Sequence, residues 1–218
     1  PERSPRMSSQ PSQPARDLAL IAVFAGVTAA LGLIPPLYVP ISPVPITAQS
    51  LGPMLAVAIL GGRRGAFSQL LFLALVALGL PLLSGGRGGL GVFFGPSWGF
   101  IVGFVVCAWF VGWATYRVGA PYSVWKGLII TVIGGLVIMY ALGIPGLMIS
   151  GKLTFSQALI GNLPYLPGDL TKVVLATLVA KGVHTAVPGM LPWHSETAEQ
   201  PAADSVSAEA APASGQQA

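Results

Sequence analysis

The sequence predicts an all-α integral membrane protein, with six transmembrane helices and both termini in the cytoplasm. Composition predicts the class: 53% of the 218 residues are hydrophobic and only 8% are charged, against about a quarter charged in a soluble domain. Such a chain cannot cover a water-facing surface. Run length predicts the element, because apolar stretches recur near the roughly 17–25 residues that a helix needs to cross a bilayer. Charge placement predicts the topology: Asp169 is the only acid between Leu18 and Ser195, and eight of the 11 Lys and Arg fall on alternate connections.

The first span runs from Leu18 to Ile34 and stops at Pro35-Pro36. The second, about Thr47 to Leu60, is short and ends at Gly61-Gly62-Arg63-Arg64; the third, about Ala66 to Leu80, stops at Pro81. The fourth is about Trp98 to Tyr116 and the fifth about Gly127 to Ile149. The sixth begins near Leu163 or Gly168 and reaches about Val187, before Pro188-Gly189. With these spans, Arg3, Arg6, Arg16, Arg63, Arg64, Arg117, Lys126 and Lys181 share one side, while the opposite connections hold only Arg87 and Lys152. Lys and Arg mark the cytoplasmic side. Residues 1–16, rich in Ser, Pro and Gln, and residues 189–218, rich in Ala, Ser, Glu and Gln, are expected to be disordered tails around a membrane domain at 17–188. The start lacks the pattern of a cleavable signal, and Met7 is a plausible start after an upstream extension.

Several function classes drop out. A nucleic-acid binder needs its Lys and Arg clustered on a face, and here they are scattered between apolar runs. One cysteine, Cys107, allows neither an intrachain disulfide nor a Cys-rich metal site. His184 and His194 are isolated, so no metal and no cofactor are expected. Gly61-Gly62-Arg63-Arg64-Gly65 lacks the lysine and hydroxyl of a phosphate loop, and nothing resembles a catalytic set, so the chain is not expected to be an enzyme. Gly86-Arg87-Gly88-Gly89-Leu90-Gly91 matches G-x-G-x-x-G literally. It follows Pro81-Leu82-Leu83 at the end of an apolar span, and no acid comes until Asp169, so the strand–turn–helix context of a dinucleotide site is absent.

What remains is a set of polar groups on the outer side. A charge in or near a bilayer costs about 2.5–3.5 kcal/mol at a helix centre and is a functional candidate by default. Asp169 and Lys172, spaced i, i+3 in GDLTK, share a helix face at the outer end of span six. They either pair structurally or present donors and acceptors to a ligand. Arg87 is the outer charge of the glycine-rich connection. The first outer connection has five prolines between Pro35 and Pro45 and no charge, so it should be a stiff, extended strap able to cover a pocket, with Thr47 and Gln49 polar at its re-entry. In span one Ala25 and Ala29 form an A-x-x-x-A that lets a helix approach closely. From spacing alone that helix is a partner's or a neighbour in the same bundle.

PVPITAQSLGPMLA, GGRRGAFSQLLFLALVALGLP, GGLGVFFGP and LPGDLTK occur in that order between Pro43 and Lys172. Together they resemble the BioY family, the biotin-binding S component of energy-coupling factor transporters, from about Asp17 to Val187. The resemblance implies an S-component bundle in a bacterial or archaeal cytoplasmic membrane. It implies high-affinity capture of biotin from outside, and a partner module of a coupling membrane protein and a cytoplasmic ATPase pair, although some members work without that module. It implies that Ala25 and Ala29 dock on the coupling protein. It also implies that Asp169 accepts ureido N–H bonds, while Lys172 or Arg87 donates to the ureido carbonyl or neutralises the valerate carboxylate. Gln49 and Asn162 are secondary polar candidates, and Tyr38, Phe94 and Tyr165 candidates for the apolar wall. Where members often carry G-P-[TS]-G-G-Y, this chain has Trp98 at a glycine and Phe100 for the tyrosine. The rival readings are an S component for another vitamin and a structural membrane subunit without a ligand.

Overall fold

The computed structural model describes residues 13–118 and 122–187. The tails expected at 1–16 and 189–218 lie outside these residues, apart from 13–16, which open the first helix. Among the described residues all regular structure is helical. Four helices take the first four spans: α1 (Gln13–Leu31), α2 (Leu51–Leu60), α3 (Gly62–Ala77) and α4 (Trp98–Val118). The fifth span is a continuous path of α5 (Val124–Val132), a π-helical stretch (Ile133–Ile138) and α6 (Met139–Ile149). A short α7 (Phe155–Asn162), which the apolar pattern does not predict, precedes the sixth span, α8 (Leu166–Ala186).

By length and composition Pro14–Leu31, Trp98–Val118 and Val124–Ile149 are each able to cross a membrane. Helix α2 is not, since its 10 residues rise only about 15 Å, half of a hydrocarbon core about 30 Å thick. It is buried on nearly every side, with Leu55 alone of its residues partly open, and α1, α3, α4 and α8 pack around it. A helix that is apolar all round belongs in such a place. Because α2 ends just before Arg63 and Arg64, its start lies deep inside the bundle, and that depth positions the site described below.

Contacts at the other end agree with the charge-derived topology. Asp17 Oδ1 meets Arg64 Nη2 at 2.8 Å, joining the start of α1 to the start of α3. His184 Nε2 lies 2.7 Å from the Ala58 carbonyl and its ring 5.1 Å from that of Tyr122. The ends of α2 and α8 and the connection before α5 therefore share the side of Arg64.

The helices approach closely where glycines meet. A Cβ on Gly112 of α4 would stand 1.8 Å from the Gly62 Cα of α3, so neither position tolerates a side chain without the helices parting. In α1, Ala25 is 3% exposed within the main core cluster beside Val57 and Phe72, and Ala29 packs against that cluster. Ala25 and Ala29, expected as a partner-docking pair, thus lie on the face of α1 that packs toward this chain's own core and α3. The exposed face of α1 carries Ala19, Ala22, Gly26 and Ala30 instead. Nothing lies within 4 Å of the space a Cβ on Gly26 would take.

The proline-rich strap is not extended throughout. Leu37 and Ile46 exchange two backbone hydrogen bonds of 2.8 Å, which folds residues 38–45 back as a closed turn. Val44 and Pro45, at the inner end of that turn, are buried.

Candidate functional site

The starts of α2, α4 and α8, the end of the strap, the 81–97 connection and the π-helical region enclose a cavity at the end opposite Arg64. Its polar lining includes Gln49, Ser50, Arg87, Tyr140, Asp169 and Lys172. Apolar walls come from Phe100, Ile101, Phe104 and Met139, so the space is amphipathic.

Pro167 in the first turn of α8 suits a helix start, and an acid there is favoured by the helix dipole. Asp169 Oδ1 accepts from Lys172 Nζ at 2.7 Å, and the two side chains are 11% and 13% exposed. Burying an ion pair costs desolvation that its attraction repays only with good geometry and further hydrogen bonds. Both further bonds are present. Lys172 Nζ also donates to Ser50 Oγ at 3.0 Å, and Tyr140 Oη donates to Asp169 Oδ2 at 2.8 Å.

Arg87 is presented by the glycine-rich connection. Leu83 and Arg87 pair through their backbones at 3.0 and 3.1 Å, and the turn they close passes through Gly85 and Gly86 at φ 80° and 69°, a region that glycine enters at little cost. Arg87 Nε donates to the Ser84 carbonyl and Nη1 to Ser97 Oγ, both at 3.2 Å. These acceptors are neutral, and among the described residues no carboxylate pairs with Arg87. The glycines thus build a turn that carries a cation into the cavity wall.

Gln49 lines the cavity, yet its amide is committed elsewhere. Nε2 donates to the Thr28 carbonyl at 3.1 Å and to the Leu82 carbonyl at 2.7 Å, and Oε1 accepts from Ser84 N at 2.9 Å. Tyr165 donates to Ser42 Oγ at 2.6 Å and reaches the Val44 carbonyl, which pins the strap over the cavity. Its ring stands edge-on to Phe100 at 6.4 Å. Phe100, where the family pattern has tyrosine, therefore serves as wall, and Trp98 opens α4.

Of the residues expected from sequence, Asp169, Lys172, Arg87, Gln49 and Tyr165 come together at the cavity. Tyr38, Phe94 and Asn162 do not line it. Tyr38 and Phe94 are 70% and 78% exposed, outside the strap and the loop. Asn162 is buried in α7, donating to the Ala158 carbonyl at 2.7 Å. Sequence reasoning missed Ser50, Ser97 and Tyr140. Tyr140 left one signal, a phenol in the otherwise apolar run GGLVIMYALG.

The comparisons with known proteins agree with this architecture. Residues 5–189 match the model of the BioY family. The chain is 46% identical over 180 residues, 79% of its length and 95% of the relative's, to "Biotin transporter BioY" of Rhizobium etli. It is 43% identical over 75% of its length and 88% of the relative's to "Probable biotin transporter BioY" of Bacillus subtilis. Among solved structures it resembles the S-component for biotin from an ECF-type ABC transporter, with TM-score 0.77 and 28% identity over 82% of this chain and 95% of that one. A family model that spans all the described residues, relatives matched almost end to end and a shared helical fold place this multi-pass membrane protein in the BioY family.

Proposed function

We propose that the chain captures biotin on the outer side of the membrane and delivers it inward as the S component of an energy-coupling factor transporter. The observation that carries this reading is the cavity, where a carboxylate, two cations and aromatic walls lie together in a bundle otherwise almost free of charge. Biotin offers complementary groups: ureido N–H donors and a carbonyl, an apolar thiophane ring and a valerate carboxylate. Asp169 accepts the ureido N–H. Lys172 is already neutralised by Asp169, whereas Arg87 has only neutral acceptors, so the valerate carboxylate belongs at Arg87. The family supplies transport components and gives no reason to assign a reaction to this chain.

The partner is a membrane coupling protein with its ATPase pair. The exposed small residues Ala22, Gly26 and Ala30 of α1 are the face for it, because small side chains let a second helix pack closely.

Calorimetry with purified protein tests the site. Arg87→Ala should lose about 10- to 100-fold in biotin affinity, the range for a hydrogen bond to a charged group. Biotinamide, which lacks the carboxylate charge, should bind Arg87→Ala about as well as biotin does. Wild type should prefer biotin to biotinamide, and loss of that preference in Lys172→Ala rather than in Arg87→Ala would reverse the assigned orientation. Wild-type protein that binds no biotin, or binds another vitamin more tightly, would sink the reading.

A further inference from the structure

A residue outside the charged set completes the polar end of the cavity. Tyr140, Asp169, Lys172 and Ser50 form one hydrogen-bonded chain across three spans, through α6, α8 and the start of α2. All four line the cavity. We propose that Tyr140 is a positioning residue, whose hydroxyl fixes the Asp169 carboxylate so that both oxygens keep acceptor capacity for ligand N–H groups. The inference rests on the reading that Asp169 meets the ureido ring.

The chemistry is one of counting and direction. An ionised carboxylate accepts at about four lone-pair sites and donates nothing. Lys172 occupies one on Oδ1 at 2.7 Å and Tyr140 one on Oδ2 at 2.8 Å. Without the hydroxyl, Oδ2 loses its protein partner and the carboxylate is free to turn toward the ammonium, which carries the larger attraction. With it, the group is held from both ends and its remaining lone pairs have a fixed direction. A ligand N–H then meets an acceptor already oriented, and ordering that group costs nothing further at binding.

The fold aims Tyr140 with a local device. In the π-helical stretch Ile133–Ile138 the backbone pairs i to i+5, so one residue is added relative to a regular helix and everything after it is rotated. Gly135 within the stretch and Met139 and Tyr140 just after it all face the cavity. Such bulges recur at functional sites.

A double-mutant cycle read by calorimetry with biotin tests this, using Tyr140→Phe, Asp169→Asn and the pair. Tyr140→Phe removes one oxygen and keeps the ring. It should weaken biotin about tenfold in the wild-type background, and by less than about twofold when Asp169 is already Asn, since coupled neighbours fail additivity. An unchanged affinity in Tyr140→Phe, or an equal loss in both backgrounds, overturns the positioning role. Full affinity in Asp169→Asn alone would instead overturn the ligand assignment on which it rests. A ligand-free melting curve for each variant reports folding, and Tyr140→Leu, smaller and without a hydrogen-bond donor, repeats the cycle if Tyr140→Phe does not fold.

Discussion

Gln49 illustrates how a residue's chemistry and its use diverge. As an amide at the mouth of span two it looks like a ligand contact, and it does line the cavity. Yet it is 2% exposed and spends both donors and its oxygen on α1 and on the connection that carries Arg87. Gln49→Ala leaves two carbonyls and an N–H without their partner, at about 1–3 kcal/mol for each group left unsatisfied. Gln49→Glu is expected to be worse, because a carboxylate would face the Thr28 and Leu82 carbonyls. Thermal unfolding in detergent checks the order: wild type highest, Ala lower by about 5 °C or more, Glu lowest. A Glu variant as stable as wild type would overturn the clamp. Asp169, Lys172 and Arg87 were legible from sequence because a charge in an apolar chain requires a reason. Tyr38, Phe94 and Asn162 were not, because whether an aromatic or amide faces the cavity depends on the path of the strap, the loop and α7.

At the scale of elements, hydropathy locates each span but not its depth. The span expected from Thr47 to Leu60 is helical only over Leu51–Leu60, because residues 47–50 belong to the turn that ties the strap to the cavity. Helix α7 was legible in principle, since Thr154 and Gln157 form a capping box, a pattern visible in sequence. The π-helical stretch was not, because it depends on how its glycines meet α2 and α4 in space. The contact of α3 with α4 gives the sharpest test at this scale. Gly112→Ala places a Cβ 1.8 Å from the Gly62 Cα and 2.0 Å from its nitrogen, and backbone cannot yield as a side-chain tip can. The expected outcome is failure to recover monodisperse protein, or a fall of 10 °C or more in melting temperature, from a cost of about 3 kcal/mol or above. Gly26→Ala, with open space around it, should melt at or slightly above wild type, since alanine is the better helix former by about 0.5–1 kcal/mol.

For the whole molecule, the proposed docking assigns the two faces of α1 different tasks, one holding the fold and the other meeting the partner. The inner face, with Ala25 at 3% exposure and Thr28 at 0%, is closed by the main core and by Gln69 of α3. The outer face, with Ala19, Ala22, Gly26 and Ala30, is open. Leucine placed on each face should therefore give opposite results. Ala25→Leu inserts three heavy atoms into a packed core, which costs about 1–3 kcal/mol or more by overpacking, so biotin binding and stability fall together. Gly26→Leu fills empty space and lies away from the cavity lining, so the isolated chain should bind biotin within about twofold of wild type. In a membrane, however, helices associate largely by close packing of small residues, and a leucine at the centre of the stripe holds a partner helix away. Co-purification with the coupling protein and ATPases should then drop sharply, and uptake with it, while binding persists. If Gly26→Leu assembles and transports like wild type, the partner docks on another face of the bundle, and the open stripe of α1 faces only lipid.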